Sequence, residues 1–169
     1  SSEERDYLEA TGPGGAPAWT VSFWFRSPRV DQGAHQGLFA NNNDPEKDFS
    51  WQVDVHNGTL RFMSRSSGSS NPVLSNADAG EPALQPNTWH HIVVRKTGFA
   101  DRGELYLGTK DGIKKVGQHD SNPGGLQMVR IGVNRSSNGL YQAEVANVSI
   151  FQNDTVSIKQ LNEVGPFGK

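Results

Sequence analysis

The Asn57-Gly58 dipeptide restricts the fold of this chain more than any other feature. Asn-Gly is the strongest sequence signal for a two-residue β-hairpin turn, and alternating apolar and polar residues flank it from Ser50 to Ser64. With the turn at this dipeptide, one face of the hairpin carries the apolar side chains of Trp51, Val53, Val55, Leu60 and Phe62. A shift of one residue would mix polar side chains into that face, so the pattern predicts the register as well as the hairpin.

Alternation with a period of two recurs along the rest of the chain and predicts an all-β domain. Further strands are predicted at 6–10, 19–26, 37–40, 89–96, 104–107, 113–118, 128–133 and 144–151. The segment 66–87 predicts a long excursion or a weak edge strand, and 157–164 predicts a short C-terminal helix. About ten short strands predict a two-sheet antiparallel β-sandwich, or jelly roll. Because no linker or repeat stands out, residues 1–169 are expected to form a single domain.

Charge and composition limit the kinds of partner that this chain is expected to bind. Its 169 residues suffice for one substantial core, and its 16 basic and 18 acidic residues are mixed along the sequence. This pattern predicts no nucleic-acid partner and no insertion into a membrane. The chain has no cysteine, which excludes disulfides and thiol catalysis. Its start at Ser1 predicts a trimmed mature end, or a module linked to or excised from a larger multidomain protein.

The polar face of the predicted hairpin is the leading candidate for a binding surface. The candidate ligand-binding residues on this face, on strands expected beside it and at one exposed loop are Asp54, His56, Arg61, Arg65, His91, Arg95, Tyr106 and Tyr141. Planar polar side chains suit sugar hydroxyls, and arginine clamps carboxylates in two-point contacts, so the set predicts a glycan and favours an acidic one. The alternative is a solvated sheet face with an Asp54–Arg61 cross-strand pair.

The acidic segment with Asp44, Glu46 and Asp48 has three interpretations. Carboxylates in flexible loops bind calcium, so these residues are the candidate metal ligands. A retaining glycosidase needs two carboxyl groups about 5 Å apart, but Pro45 does not suit the central strand that would carry them. The third interpretation is a plain solvated loop. Because no nucleophile elbow or zinc motif occurs either, the chain is expected not to be an enzyme.

Segments along nearly the whole chain resemble the laminin-G-like branch of the concanavalin A-like lectin/glucanase superfamily. The similar segments are 6–9, 19–25, 57–62, Trp89-His90-His91, Leu105-Tyr106-Leu107, 130–132 and 141–151. The resemblance implies a concanavalin A-like sandwich ending in a short helix, in a superfamily whose members often bind sugars without chemistry and often carry calcium. The chain lacks the cysteine bridge of matrix members and the common Val-Asp-Gly turn, which favours a lectin-like module over an adhesion domain.

The resemblance also implies places for the tryptophans. Trp19 and Trp89 correspond to core anchors of the family, and the hairpin pattern puts Trp51 in the core as well. Trp24 stays ambiguous, because alternation puts it on the face opposite Phe23.

These observations predict a secreted, non-catalytic carbohydrate-binding module, accessory to an enzyme that acts on a polysaccharide or glycan. One alternative is a protein-binding adhesion module of the same fold. The other is a glycan-cleaving enzyme that uses Asp44, Glu46 and Asp48. Calcium is the one cofactor that the acidic segment suggests.

Overall fold

A computed structural model describes residues 7–41, 50–65, 73–99, 102–109, 111–120, 122–134, 138–140 and 142–168, with Ser50 and Arg65 described by their backbone alone. Within these ranges the chain forms β1 (Leu8–Gly14), β2 (Trp19–Arg26), β3 (Gln36–Asn41), β4 (Ser50–His56), β5 (Thr59–Arg65), β6 (Val73–Ser75), β7 (His90–Lys96), β8 (Gly103–Thr109), β9 (Gly112–His119), β10 (Leu126–Ile131), β11 (Glu144–Phe151) and α1 (Ile158–Glu163). No helix in these ranges is long and apolar enough to span a membrane.

The strands form two sheets in which every pair of named strands is antiparallel, and this confirms the predicted sandwich. The six-stranded sheet has the order β1-β10-β3-β4-β5-β6, and the five-stranded sheet has the order β11-β2-β7-β8-β9. The named strands cross between the two sheets five times, and one of these crossings lies between β6 and β7. The β4–β5 hairpin and the β7–β8 hairpin therefore lie in different sheets.

The β4–β5 hairpin has the predicted register. Val53 pairs with Phe62, and the turn lies at Asn57 and Gly58. Both turn residues have positive φ angles, 49° and 73°, as the favoured two-residue hairpin turn requires. Gly58 N also donates to Val30 O at 2.7 Å, so a neighbouring loop holds the turn in place.

Stacked aromatic rings form the centre of the core between the sheets. The ring centroids of Trp19 and Trp51 lie 4.6 Å apart, and Phe39 stacks on Trp51 at 5.4 Å. The two indole N–H groups donate to Gly124 O at 2.9 Å and Gly125 O at 3.0 Å, so both polar groups are paired inside the core. Trp19 and Trp51 are fully buried, which confirms their predicted place.

The first strand is longer than predicted. The sequence predicted a strand at 6–10, and in the structure β1 continues to Gly14 through a register shift against β10. A Cβ atom at Gly12 would lie 1.9 Å from Leu126 O, so the close approach of β1 and β10 requires glycine here. The predicted edge strand and the predicted short helix are both present, as β6 and as α1 with Ser157 at its N-cap.

Candidate functional site

The predicted ligand-binding residues lie on two faces of the sandwich that point away from each other. In the six-stranded sheet lie Asp54, His56, Arg61 and the backbone of Arg65, and in the five-stranded sheet lie His91, Arg95 and Tyr106. Their strand neighbours fill the core, so all of these positions are on outer faces. The prediction that they form one patch is wrong, because β7 and β8 belong to the other sheet and the two outer faces of a sandwich are on opposite sides.

On the six-stranded sheet, the charged groups already bind each other. We define the hairpin face as Gln52, Asp54, His56 and Arg61 together with His35. Asp54 is fully buried and accepts from Arg61 Nε at 2.8 Å, Arg61 Nη2 at 3.2 Å and Gln52 Nε2 at 2.5 Å. The His35 and His56 rings pack 4.4 Å apart, and desolvation followed by the Arg61 charge lowers the pKa of His35. The Asp54 carboxylate is thus already bound to Arg61, the arginine that was expected to hold the carboxylate of a ligand.

Several predicted residues fall outside the described part of the chain. They are the side chains of Arg65 and Tyr141 and the candidate metal ligands Asp44, Glu46 and Asp48. Their roles stay predictions. Among the residues that the structure does describe, no group of three or more His, Asp or Glu side chains could hold a metal ion.

His91 links the five-stranded sheet to α1. Its ring is 1% exposed and stacks on Trp24, with the ring centroids 4.6 Å apart. Nδ1 lies 2.8 Å from Asn162 Oδ1, and Nε2 lies 2.8 Å from Ser22 Oγ. Since the amide oxygen can only accept, Nδ1 carries the proton and Nε2 accepts from the serine hydroxyl. Desolvation lowers the pKa of His91, partly offset by the Asn162 hydrogen bond. The placement gives His91 a positioning role, and since His91 also lines the cleft described below, its predicted contact with a ligand stays a prediction.

Arg95 holds the segment that precedes α1, and Tyr106 packs beside Arg95. Arg95 Nε donates to Thr20 Oγ1 at 3.1 Å, and Nη2 donates to Val156 O at 2.5 Å. The Arg95 guanidinium also lies 5.9 Å from the centroid of the Tyr106 ring. Tyr106 donates to Glu104 at 2.8 Å, and desolvation together with this carboxylate raises the pKa of Tyr106 to about 12. Both side chains have internal partners, and their predicted contacts with a glycan stay predictions.

The prediction that Trp89 anchors the core is wrong. Trp89 precedes β7, which begins at His90, and therefore lies outside the strand alternation that directs side chains inward. Its indole is half-buried at the surface. The Arg26 guanidinium lies 5.0 Å from the ring centroid, and the exposed Phe167 ring meets Trp89 edge-on at 5.6 Å. Trp89 is thus available to line a surface site.

An open cleft of about 880 Å³ lies beside Trp89 and is bordered by the five-stranded sheet. We define the Trp89 cleft by its main lining residues, which are Trp24, Trp89, Leu107, Ile113, Lys114 and Asn162. These residues come from β2, the loop before β7, the β8–β9 hairpin and α1. Small-ligand sites typically have volumes of about 300–1,000 Å³ and apolar or aromatic walls with a few polar groups, and the cleft fits this description.

Gly108 and the His91 link position the helix side of the cleft. A Cβ atom at Gly108 would lie 2.8 Å from His91 Cβ and 3.0 Å from Asn162 Oδ1, so glycine here allows α1 to approach β8. Trp24 is held by its Nε1, which donates to Val164 O at 3.1 Å just after α1. Because His91 engages the amide oxygen of Asn162, the Asn162 Nδ2 group is the donor that this residue brings to the cleft.

The sequence did not predict the cleft, although it contains one signal of it. Alternation places Trp24 on the outer face, opposite Phe23, where a large aromatic residue needs another surface to pack against. The other walls come from segments far apart in the sequence. No local pattern predicts that Trp89, Ile113 and Asn162 meet in space.

Comparisons with known proteins agree with this architecture. No curated protein sequence matches the chain. A solved SAP-like pentraxin from Limulus polyphemus is 13% identical, with a TM-score of 0.67 over 97% of this chain and 77% of that chain. The CBM40 module of a Ruminococcus gnavus IT-sialidase, bound to α2,3-sialyllactose, is 12% identical, with a TM-score of 0.58 over 93% and 97%. Mouse laminin α1 domains LG4-5 are 16% identical, with a TM-score of 0.62 over 90% of this chain and 40% of that chain.

Identities this low show a shared fold and no more. The family assignment comes from a sequence model of laminin G type, described as the concanavalin A-like lectin/glucanases superfamily, which matches residues 4–157. This match spans most of the 169 residues, and the two antiparallel sheets agree with it. The chain therefore belongs to the laminin G branch of the concanavalin A-like lectin/glucanase superfamily.

Proposed function

We propose that the chain is a non-catalytic carbohydrate-binding module that holds its sugar in the Trp89 cleft. The observation that carries this proposal is the meeting of Trp24, Trp89 and the Asn162 amide in one open cleft. Aromatic rings pack against the C–H faces of sugar rings, and amide groups bond to sugar hydroxyls. Both indoles already have fixed neighbours, His91 beside Trp24 and Arg26 over Trp89, so binding requires little further ordering.

The likeness to solved binding modules supports this role. The Ruminococcus gnavus module is part of a sialidase and is bound to α2,3-sialyllactose, and its fold matches nearly all of this chain. By analogy we propose that this chain is also extracellular and accessory to an enzyme that acts on a glycan. The sequence of the full-length gene product tests this part, because a neighbouring catalytic domain would name the substrate class and its absence from that product would contradict an accessory role.

The acidic groups of the cleft favour binding over hydrolysis. Glycoside hydrolysis needs a carboxylic acid and a free carboxylate on either side of the scissile bond. Glu81 is ion-paired with Lys114, and Asp111 lies in the exposed β8–β9 turn. The competing enzyme hypothesis, which uses Asp44, Glu46 and Asp48, is tested by assaying sugar release with the protein and its Asp48→Asn variant. Turnover that the variant loses would overturn the non-catalytic proposal.

The site is tested by a glycan array followed by calorimetry on the best ligand. Trp89→Ala should weaken binding by about 30-fold, the size of a central aromatic contact worth about 2 kcal/mol. Phe99→Ala is the matched control, because Phe99 is an aromatic residue that is 87% exposed and does not line the cleft. It should bind as the wild type does. No glycan bound by the wild type would refute the proposed function, and unchanged binding by Trp89→Ala would refute the site.

A protein-binding adhesion module is the second candidate, because the laminin domains share the fold. The same array separates the two, since an adhesion module would leave it blank. Calcium stays a prediction of the acidic segment. We expect EDTA to lower the midpoint of thermal unfolding if the ion is bound, and an unchanged midpoint would remove calcium from the proposal.

A further inference from the structure

We propose that Ser22 and His91 set the hydrogen-bonding polarity of the Trp89 cleft. Through them, Asn162 presents a donor to the cleft and binds the oxygen atom of a sugar hydroxyl. This inference rests on the proposed function and deepens it, because it names the group of the sugar that the site selects. The preference for acidic glycans that the arginines of the sequence suggest is independent of this contact and stays a prediction.

The polarity begins at Ser22, a buried residue of β2. Ser22 is 4% exposed, and its Oγ lies 2.8 Å from His91 Nε2. Among the described residues, this hydroxyl has no second hydrogen-bond partner. A buried donor without an acceptor is unfavourable, and His91 Nε2 is the acceptor within reach. The Ser22 hydroxyl therefore donates to Nε2.

The serine fixes the tautomer of His91 and, through it, the Asn162 amide. Desolvation lowers the pKa of His91, so the ring is neutral at pH 7 and carries one proton. Since Nε2 accepts, that proton is on Nδ1. A protonated Nδ1 can only donate, so the amide atom 2.8 Å from it is the oxygen Oδ1. The hydrogen-bond chain thus runs in one direction, from Ser22 through His91 to Asn162.

The amide group that remains to Asn162 is a donor. Asn162 lines the cleft, and within the described part of the chain its Nδ2 makes no hydrogen bond to the protein. With its oxygen held by His91, the amide cannot exchange the two ends by flipping. It can donate to a hydroxyl oxygen but cannot accept from a hydroxyl hydrogen. Because this donor is already oriented, its bond to a sugar requires little further ordering.

The tautomer of His91 is measured without any ligand. The chemical shifts of the two ring nitrogens, recorded by NMR at about pH 8 where the ring is neutral, report which nitrogen carries the proton. The His91→Gln variant assigns the signals by their loss. We expect a protonated Nδ1 and a bare Nε2. The opposite tautomer would overturn the inference and leave the proposed function standing.

The variant Ser22→Ala tests the origin of the polarity. Water in place of the hydroxyl can donate to Nε2 or accept from it, so the Nδ1-protonated form should lose population and glycan affinity should fall several-fold. Ser149→Ala is the matched control. It removes a hydroxyl at the position paired with Ser22, where no hydrogen bond of the side chain to the described residues is formed. An unchanged tautomer and affinity in Ser22→Ala would overturn the role of the serine.

The variant Asn162→Asp tests the donor itself. It replaces Nδ2 with an oxygen and keeps an oxygen for His91 Nδ1, so glycan binding should weaken by about tenfold. Asn153→Asp is the matched control, because Asn153 is exposed, lies outside the lining and uses its amide oxygen to accept from Thr155 N at 3.2 Å. It should bind as the wild type does. Unchanged affinity in Asn162→Asp would overturn the inference.

Sugar analogues identify the group that the site selects. The contacted hydroxyl is the one whose replacement by hydrogen weakens binding to the wild type by about tenfold and costs nothing further in Asn162→Asp. Fluorine accepts weakly and cannot donate, so the fluoro analogue should retain more affinity than the deoxy analogue. Equal losses would show that the protein accepts from this hydroxyl and would overturn the inference alone. If the wild type bound no glycan, the inference and the proposed function would both fail.

Discussion

The two outer faces of the sandwich carry similar polar residues. On one face these residues are paired with each other, and on the other they border an open cleft. On the hairpin face, Asp54 and Arg61 neutralise each other and the carboxylate is fully buried. On the opposite side, Trp24, Trp89 and the Asn162 amide border an open cleft. Alternation therefore predicts which side chains lie on the outer face of a sheet, but it does not predict whether that face is accessible to a ligand. The charged groups of the hairpin face are used in their own ion pair, whereas the loop before β7 and helix α1 form the sides of the Trp89 cleft.

Removing the Asp54–Arg61 pair from the hairpin face should have the largest effect of the predicted changes. It should lower the free energy of unfolding and leave glycan binding unchanged. Asp54→Ala leaves the Arg61 guanidinium, whose side chain is only 19% exposed, without its partner. Loss of one partner from a buried pair typically costs about 3 kcal/mol of unfolding free energy, measured by urea denaturation. Glycan affinity should not change.

An exposed ion pair provides the control for that variant. Glu144→Ala removes the partner of Arg26 in a pair whose side chains are 37% and 57% exposed, and it should cost less than about 1 kcal/mol. If Asp54→Ala kept its stability and lost its glycan, the roles of the two faces would be reversed.

Crowding the floor of the cleft should affect both stability and binding. Gly108→Ala places a methyl group against His91 and Asn162, and such overpacking costs about 2 kcal/mol. Because the variant displaces α1, we also expect weaker glycan binding in calorimetry. Gly165→Ala is the matched control, since no atom lies within 4 Å of a Cβ atom there. Equal behaviour of the two variants would contradict the packing of α1 on β8.

A substitution that strains the hairpin turn should lower the stability of the protein without changing its glycan affinity. Asn57→Ala forces a residue with a Cβ atom and no amide into a left-handed conformation, φ 49°, at about 1 kcal/mol. Thermal or urea unfolding measures the loss, and Asn57→Gly should recover it. A change in glycan affinity would show that the turn supports the cleft.

The smallest effect is a pH dependence at His91. Its lowered pKa means that the folded state binds fewer protons than the unfolded state. Stability should therefore be complete above the unfolded pKa of about 6.5 and decrease as the pH falls below it. His35 and His90 shift in the same direction, so the His91→Gln variant isolates the effect by showing a shallower decrease in urea titrations between pH 8 and pH 5. Parallel curves would rule out the role of His91.

Local patterns determined much of the architecture. The alternation around Asn57-Gly58 predicted the hairpin register pair by pair, and it predicted the burial of Trp51. The spacing of the strand segments predicted a two-sheet sandwich with a final short helix, and the resemblance of those segments to laminin-G-like domains predicted the family. These predictions succeed because side-chain direction in a strand, and the backbone demanded by a tight turn, depend on residues close together in the sequence.

Only the tertiary structure decided which of those elements meet. It placed β7 and β8 in the other sheet, which separated His91 and Arg95 from the hairpin face. It left Trp89 outside the core and brought it to the same cleft as Asn162. The physical reason is that sheet membership, the burial of an ion pair and the walls of a cleft depend on contacts between segments far apart in the chain. Alternation within one strand carries no information about such contacts.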